Sequence, residues 1–172
     1  MRTPLILSML VLLTSLYLGG RHLQAVTHVN DNTYDLLLSI LLSHCVPAIS
    51  VEDLASERRQ ILDARSSREF EVSHIPNALW VGYEDFSLDR LSAIDKHTPM
   101  AVYCSVGYRS ELIAEHMRRH GYSNVVNVYG GIFEWVNTGH PVVTGNGVKT
   151  TAVHAYSRFW GIWLKRGTHL YE

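Results

Sequence analysis

The residues best placed to do chemistry lie in one heptapeptide, Cys104-Ser105-Val106-Gly107-Tyr108-Arg109-Ser110. A cysteine is a nucleophile only as its thiolate, and backbone N–H groups, a helix N-terminus and a nearby cation all favour that form. The flanking sequence supplies all three. Met100-Ala101-Val102-Tyr103 is a short apolar run that reads as a strand, and Glu111 to His120 carries apolar residues at 112, 113, 114 and 117 with Gly121 as a stop. Strand, tight loop and helix thus set Cys104 at the carboxyl end of a strand, before the orphan N–H groups of a helix. Arg109 places a cation in the loop, and the same cradle suits a bound anion. The plain alternative for Cys104 is a packing role, since free cysteine behaves as a small hydrophobe.

Cys-x-x-Gly-x-Arg-Ser between a strand and a helix resembles the active-site loop of the single-domain rhodaneses, the persulfide-forming sulfurtransferases. Leu62-Asp63-Ala64-Arg65 is similar to that family's Leu-Asp-Val-Arg. Glu69 to Ala78 is similar to its Glu-Tyr-x-x-Gly-His-Ile-Pro-Gly-Ala, and Gly130 to Val142 to its closing Gly-Gly-x-x-x-Trp-x-x-x-Gly-x-Pro-Val. The four segments fall in family order over residues 47–144. Ser73 and Asn77 depart from the pattern, each where the family usually or often has glycine.

The resemblance implies a sulfurtransferase in which Cys104 takes sulfane sulfur from a small-molecule donor such as thiosulfate and passes it to a thiol or cyanide. It implies Cys104 as the catalytic residue and Ser105, Val106, Gly107, Tyr108, Arg109 and Ser110 as the substrate-binding loop, with no cofactor and no metal. Val106 and Tyr108 leave the mouth mildly apolar. Arg109 either holds the donor's oxyanion or pairs with Glu69, Glu71 or Glu111. The alternatives are a sulfur carrier or binding module with little turnover, and a phosphatase or arsenate reductase. The related phosphatases place five residues between Cys and Arg, where this chain has four. His74, Asp63 and Arg65 read as structural, the imidazole tying backbone groups together and the charges holding a strand end.

Strand-like runs at 47–50, 61–63, 78–81, 100–103 and 124–128 alternate with helices that open at Ser50-x-x-Asp53 and Ser66-x-x-Glu69, run over 88–95 and 108–120, and close over 133–136. The expected fold class is α/β: a parallel five-stranded sheet with helices on both faces, flanked by an N-terminal apolar segment and a helical C-terminal extension. Ligands of such sheets bind outside the carboxyl ends of the strands, where Cys104 falls.

Fifteen Lys and Arg against sixteen Asp and Glu leave a net charge of −1, which gives no electrostatic case for nucleic acid. Two cysteines make no disulfide framework, and Cys45 reads as packed. Residues 1–25 read as a signal peptide or membrane anchor, because 3–20 hold no charge and the dense apolar part, Leu5 to Leu18, suits a signal core better than a span of ~20 residues. The expected location is periplasmic or membrane-anchored, with association through that segment, or cytoplasmic if the run is not a signal. Residues 26–46 carry an amphipathic helix over 30–46, with Tyr34, Leu37, Leu38, Leu41 and Leu42 as the stripe that docks on the domain. Residues 47–144 form the rhodanese-like domain. Residues 145–172 form an aromatic extension, with a helix from Ser157 to Lys165 whose tryptophans pack on the core or on helix 30–46. Both flanks resemble those of a bacterial subgroup with an added N-terminal helix and a Trp-rich tail.

Overall fold

A computed structural model describes residues 27–171. The apolar run at 3–20, read as signal or anchor, lies outside the described residues. Among the described residues no helix is long and apolar enough to cross a membrane.

Five short strands make one parallel sheet: β1 (Ala48–Ile49), β2 (Gln60–Asp63), β3 (Leu79–Trp80), β4 (Met100–Tyr103) and β5 (Val125–Val128), in the order β1-β5-β4-β2-β3. Parallel neighbours need crossovers. These are α2 (Val51–Ser56) before β2, α3 (Ser67–Val72) before β3, a 3-10 turn (Leu88–Leu91) before β4 and α4 (Tyr108–Arg119) before β5. α1 (Asn32–Leu41) precedes the sheet and α5 (Gly131–Asn137) follows it.

The central strand β4 is buried along its whole length, so its four residues read apolar without alternation. The pleat still sends them to opposite sides. Ala101 and Tyr103 join one core with Tyr34 and Leu38 of α1, Leu54 of α2 and Ile132 and Phe133 of α5. Met100 and Val102 join the other with Leu91 and with Ile113, Ala114 and Met117 of α4. Cys104, the next residue, leaves the sheet at its carboxyl edge.

Several elements differ from the sequence expectation, each for a local reason. α1 covers Asn32–Leu41 rather than 30–46: Asp31 Oδ1 caps it, accepting from the N–H groups of Thr33 (2.9 Å) and Tyr34 (3.1 Å). Beyond Leu42 the amides of Ser43 and Cys45 donate to the Glu111 carboxylate, so tertiary bonds replace helical ones. That leaves Cys45 exposed rather than packed. The expected helix at 88–95 is only the 3-10 turn Leu88–Leu91; Leu88, Leu91 and Ile94 recur every three residues, the period of that helix and not of an α-helix.

The C-terminal extension is mixed rather than helical. β6 (Val142–Val143) and β7 (Lys149–Thr150) form a hairpin; β8 (Ala152–His154) and β9 (Thr168–Leu170) pair in parallel around a single turn, α6 (Arg158–Gly161). Ser157 caps α6 as expected, but the helix ends at Gly161, the residue that most weakens it. The docking of the tail on α1 agrees with the sequence: the Trp163 ring stacks on Tyr34 at 5.4 Å.

A buried polar network fixes the strand ends below the active loop. Arg65, fully buried, reaches Asp63 Oδ2 with Nη2 (2.7 Å) and the Ser73 carbonyl with the same nitrogen (2.6 Å). The Tyr103 hydroxyl donates to Asp63 Oδ2 and accepts from the Ile75 N–H at 3.1 Å. Burial, then the Asp63 charge, pushes the Tyr103 phenol well above its ordinary value, which keeps it a donor. β2, β4 and the His74-Ile75 segment are thereby tied at one point, one residue before Cys104. Breaking a buried pair leaves a charge uncompensated, at about 3–5 kcal/mol. Asp63→Ala is therefore expected to lose about that much stability in urea unfolding, whereas Leu36→Ala, at a side chain 62% exposed on α1, changes it by less than about 0.5 kcal/mol.

Candidate active site

The loop after β4 owes its shape to what holds its back. The carbonyls of Cys104 and Ser105 accept the N–H groups of Ile132 (2.9 Å) and Phe133 (3.1 Å), two orphan donors of the first turn of α5. That contact requires glycine at 131, where φ is +57°. A Cβ there would strike the Cys104 carbonyl oxygen and come within 2.6 Å of the Ser105 carbonyl oxygen. With the carbonyls drawn to α5, the Gly107 N–H turns to the sulfur, donating to Cys104 Sγ at 3.2 Å.

Gly107 itself sits at φ +119° as the N-cap of α4 and has no side chain with which to cap it. Its carbonyl is held by Asn127 Nδ2 from β5 (3.0 Å), while the Ser110 hydroxyl donates to Asn127 Oδ1 (2.7 Å). Cys104 is 1% exposed, yet it lines an open cleft.

Arg109 makes a bidentate pair with Glu69, Nη1 to Oε2 at 2.9 Å and Nη2 to Oε1 at 2.7 Å, and Nη2 also donates to Ser105 Oγ at 3.0 Å. Glu69 reaches this position because it is the N3 residue of α3: its carboxylate accepts from the Ser66 N–H in a capping box while facing the loop. Burial pushes the Glu69 carboxyl up, but the Arg109 hydrogen bonds and charge, with Arg65 behind, outweigh it and hold the value at about 2. The pair stays ionised throughout the physiological range.

The cleft above Cys104 measures about 630 Å³, within the range of small-molecule sites. One side is the loop with Arg68, Tyr83 and Glu84. The other is built by the extension: His154 from β8, then Tyr156, Trp160 and Tyr171. The Tyr156 ring covers the Arg109 guanidinium at 5.0 Å.

A family model described as Rhodanese-like domain matches residues 48–138, more than half of the chain. The chain belongs to the rhodanese-like family. It is 32% identical over 87 residues to a protein of Allochromatium vinosum named Sulfurtransferase, covering 51% of this chain and 80% of that one. It is 32% identical over 90 residues to the adenylyltransferase and sulfurtransferase uba4 of Ogataea parapolymorpha, covering 51% of this chain and only 23% of that longer protein. The rhodanese-like domain of the Anabaena protein Alr3790, solved by NMR, superposes with a TM-score of 0.53 at 25% identity, over 57% of this chain and 79% of that one. A thiosulfate sulfurtransferase of Pseudomonas aeruginosa gives 0.55 over 74% of this chain and 25% of that one; at 20% identity it speaks for the fold alone.

Of the seven loop residues singled out from the sequence, Cys104, Ser105, Val106, Tyr108 and Arg109 line the cleft. Gly107 and Ser110 do not; they brace the loop from behind. Arg109 takes Glu69 among its three candidate partners. Glu111 instead anchors the segment after α1, and Glu71 is not its partner. His74 is structural, as expected: Nδ1 lies 3.0 Å from the Phe70 carbonyl, the ring stacks on Phe70, and the backbone pairs with Val143.

The sequence reading missed Asn127 and the extension. Asn127 announces itself as one amide inside the apolar strand Val125-Val126-Asn127-Val128, where only a buried partner explains it. The expectation that metal spacing is absent from the sequence is wrong at one place, the pair His116-x-x-x-His120 on α4. Its rings are 4.3 Å apart, but among the described residues no third ligand-type side chain gathers with them.

His154 gives the site a titratable joint. Its Nδ1 accepts the Tyr156 N–H at 3.1 Å, so it is the neutral ring that holds Tyr156 in place. Burial lowers the His154 pKa below 6.5; Glu69 pulls it up, and Arg65, Arg68 and Arg109 push it down. A depressed folded-state value means that the unfolded chain binds the proton first as pH falls. This contribution to stability is therefore complete above about 6.5 and is lost as pH falls through the folded value. Melting temperature is expected to drop more steeply between about pH 7 and 5 in the wild type than in His154→Asn, which keeps an acceptor two residues before the Tyr156 N–H and does not titrate. Equal slopes would remove His154 as the cause.

Proposed function

We propose that the protein is a sulfurtransferase that carries sulfane sulfur as a persulfide on Cys104. The observation that carries this reading is Cys104 on the lining of the cleft, its sulfur accepting the Gly107 N–H in a loop whose Cys104 and Ser105 carbonyls are taken by the α5 amides. Such a loop stabilises negative charge on a sulfur without moving, which is preorganised electrostatics.

The chemistry is a double displacement. The Cys104 thiolate attacks the outer sulfur of a donor such as thiosulfate. An S–S bond forms at Sγ, the donor's own S–S bond breaks, and sulfite leaves with the bonding pair. A thiol then attacks the outer sulfur of the persulfide. The Sγ–S bond breaks, its electron pair returns to Cys104 as thiolate, and the acceptor departs as a persulfide with the thiol proton. Each sulfur-to-sulfur exchange balances without an external oxidant.

The phosphatase alternative is weakened on two counts. Four residues separate Cys104 from Arg109, and Arg109 is occupied by Glu69 instead of facing the cleft as a free oxyanion clamp. A pure binding module has no use for a cysteine held this way.

Thiosulfate treatment is expected to add one sulfur atom to the intact wild-type mass and none to Cys104→Ser, with both proteins melting within a few degrees of each other. The wild type is expected to hydrolyse aryl phosphates no faster than Cys104→Ser. Sulfur retained by the serine variant, or efficient cysteine-dependent phosphatase turnover, overturns the assignment. Loading without transfer to any small thiol would make the protein a carrier.

A further inference from the structure

The family match ends at residue 138, yet His154, Tyr156, Trp160 and Tyr171 complete the cleft over Cys104. These four residues are not accidental neighbours. The extension is fastened to the domain on several sides: Asn137 of α5 holds the Trp163 carbonyl (2.9 Å) and the Lys165 N–H (2.7 Å), Trp163 stacks on Tyr34, and Val153, Ala155 and Leu164 are buried in the core. Gly161 lets Tyr171 lie close against α6, since a Cβ there would fall 2.9 Å from the Tyr171 hydroxyl.

Tyr156 is the outlier of the group. It holds φ at +61°, a conformation that costs a bulky residue, and the residue stays 51% exposed with its ring over the Arg109 guanidinium. Strain of this kind persists where surrounding structure imposes it, and it gathers at ligand sites. An aromatic ring is thus placed at the mouth against its own backbone preference.

The charges of the cleft balance. Arg109 is neutralised by Glu69, and the remaining cation on the lining, Arg68, shares it with the Glu84 carboxylate. What the mouth offers is aromatic surface, Tyr83 and Tyr108 on the domain side and Tyr156, Trp160 and Tyr171 on the other. Its volume of about 630 Å³ suits a molecule of drug or small-peptide size.

Resting on the sulfur-transfer reading above, we propose that the C-terminal extension makes this site selective for an organic thiol, or its persulfide, that carries an aromatic or apolar body of small-peptide size. The body lies between Tyr156 and Trp160 while its sulfur meets Cys104. The transfer step is the exchange already written: the acceptor's sulfur bonds to the outer sulfur of the persulfide, the Sγ–S bond breaks, and Cys104 leaves as thiolate. Because the wall is held before the ligand arrives, little ordering cost opposes binding.

The test compares two acceptors with the same thiol, N-acetylcysteine benzylamide and N-acetylcysteine methylamide, on full-length enzyme first loaded with sulfur by thiosulfate or inorganic polysulfide. The wild type is expected to favour the benzylamide by at least about tenfold in kcat/KM, through KM, because its ring can bury against the aromatic wall where a methyl group cannot. Trp160→Ala is expected to bring that ratio toward one, and Trp160→Phe to restore most of it. A wild-type ratio near one overturns the proposal whatever the variants do. So does a ratio unchanged in a folded Trp160→Ala protein. Failure of Cys104 to load with sulfur is scored separately by intact mass, and overturns the sulfur-transfer reading together with this one.

Discussion

The structure depends on a single close approach, that of the α5 N-terminus to the back of the active loop. Each peptide unit carries a donor and an acceptor on opposite edges, so a loop that presents N–H groups to a sulfur must dispose of its carbonyls elsewhere. Here they go to Ile132 and Phe133, whose own amides need partners because they begin a helix. The two requirements satisfy each other only if nothing stands between the segments, and at Gly131 a side chain would. Tyr34 of α1 then fixes the same turn from the other side, its hydroxyl donating to the Gly130 carbonyl at 2.9 Å. The N-terminal helix is thus a support for the turn that shapes the loop.

Charge is placed by the same logic. Two arginines lie near Cys104, Arg65 fully buried and Arg109 partly so, and each is matched with a carboxylate on a different element. Arg65 and Asp63 join β2 to β4 and to the Ser73 carbonyl; Arg109 and Glu69 join the loop to α3. In low dielectric an unmatched guanidinium there costs several kcal/mol, so these pairs work as specific fasteners and neutralise their own charge beside the loop. Neutral surroundings suit an exchange between sulfur atoms, in which the negative charge passes from one sulfur to another and no new charge is created.

Much of this was legible in the chain because the signals are local. A cysteine between an apolar run and a helical repeat, the N-cap at Ser50 and the capping box at Ser66, and glycines at 107, 130 and 131 are all short-range grammar. Even the departures from the family pattern are readable: Asn77 adopts φ +64°, which asparagine tolerates, and Ser73 sits at φ −169°, ordinary extended backbone that makes no demand for glycine. What was not legible depends on distance. Whether Arg109 meets Glu69, Glu71 or Glu111 is decided by the packing of α3 against the loop. The extension misled for a related reason. Its aromatic residues fit a helical stripe between Ser157 and Lys165, but Gly161 stops the helix after one turn, and the segments on either side pair with each other as β8 and β9.

That pairing explains why the extension can reach the site at all. A continuous helix from Ser157 to Lys165 would have carried its aromatic side chains along one line at 1.5 Å per residue. The β8–α6–β9 unit instead doubles back, so that Tyr171, eleven residues after Trp160, returns to the same cleft. Parallel pairing of two short strands is weak by itself. It is held here because Val153 is fully buried and because the Ala155 N–H donates to the Leu170 carbonyl at 2.7 Å, extending the ladder by one bond. The aromatic wall therefore derives its rigidity from the core it lies against, and its position over Cys104 from the turn at Gly161.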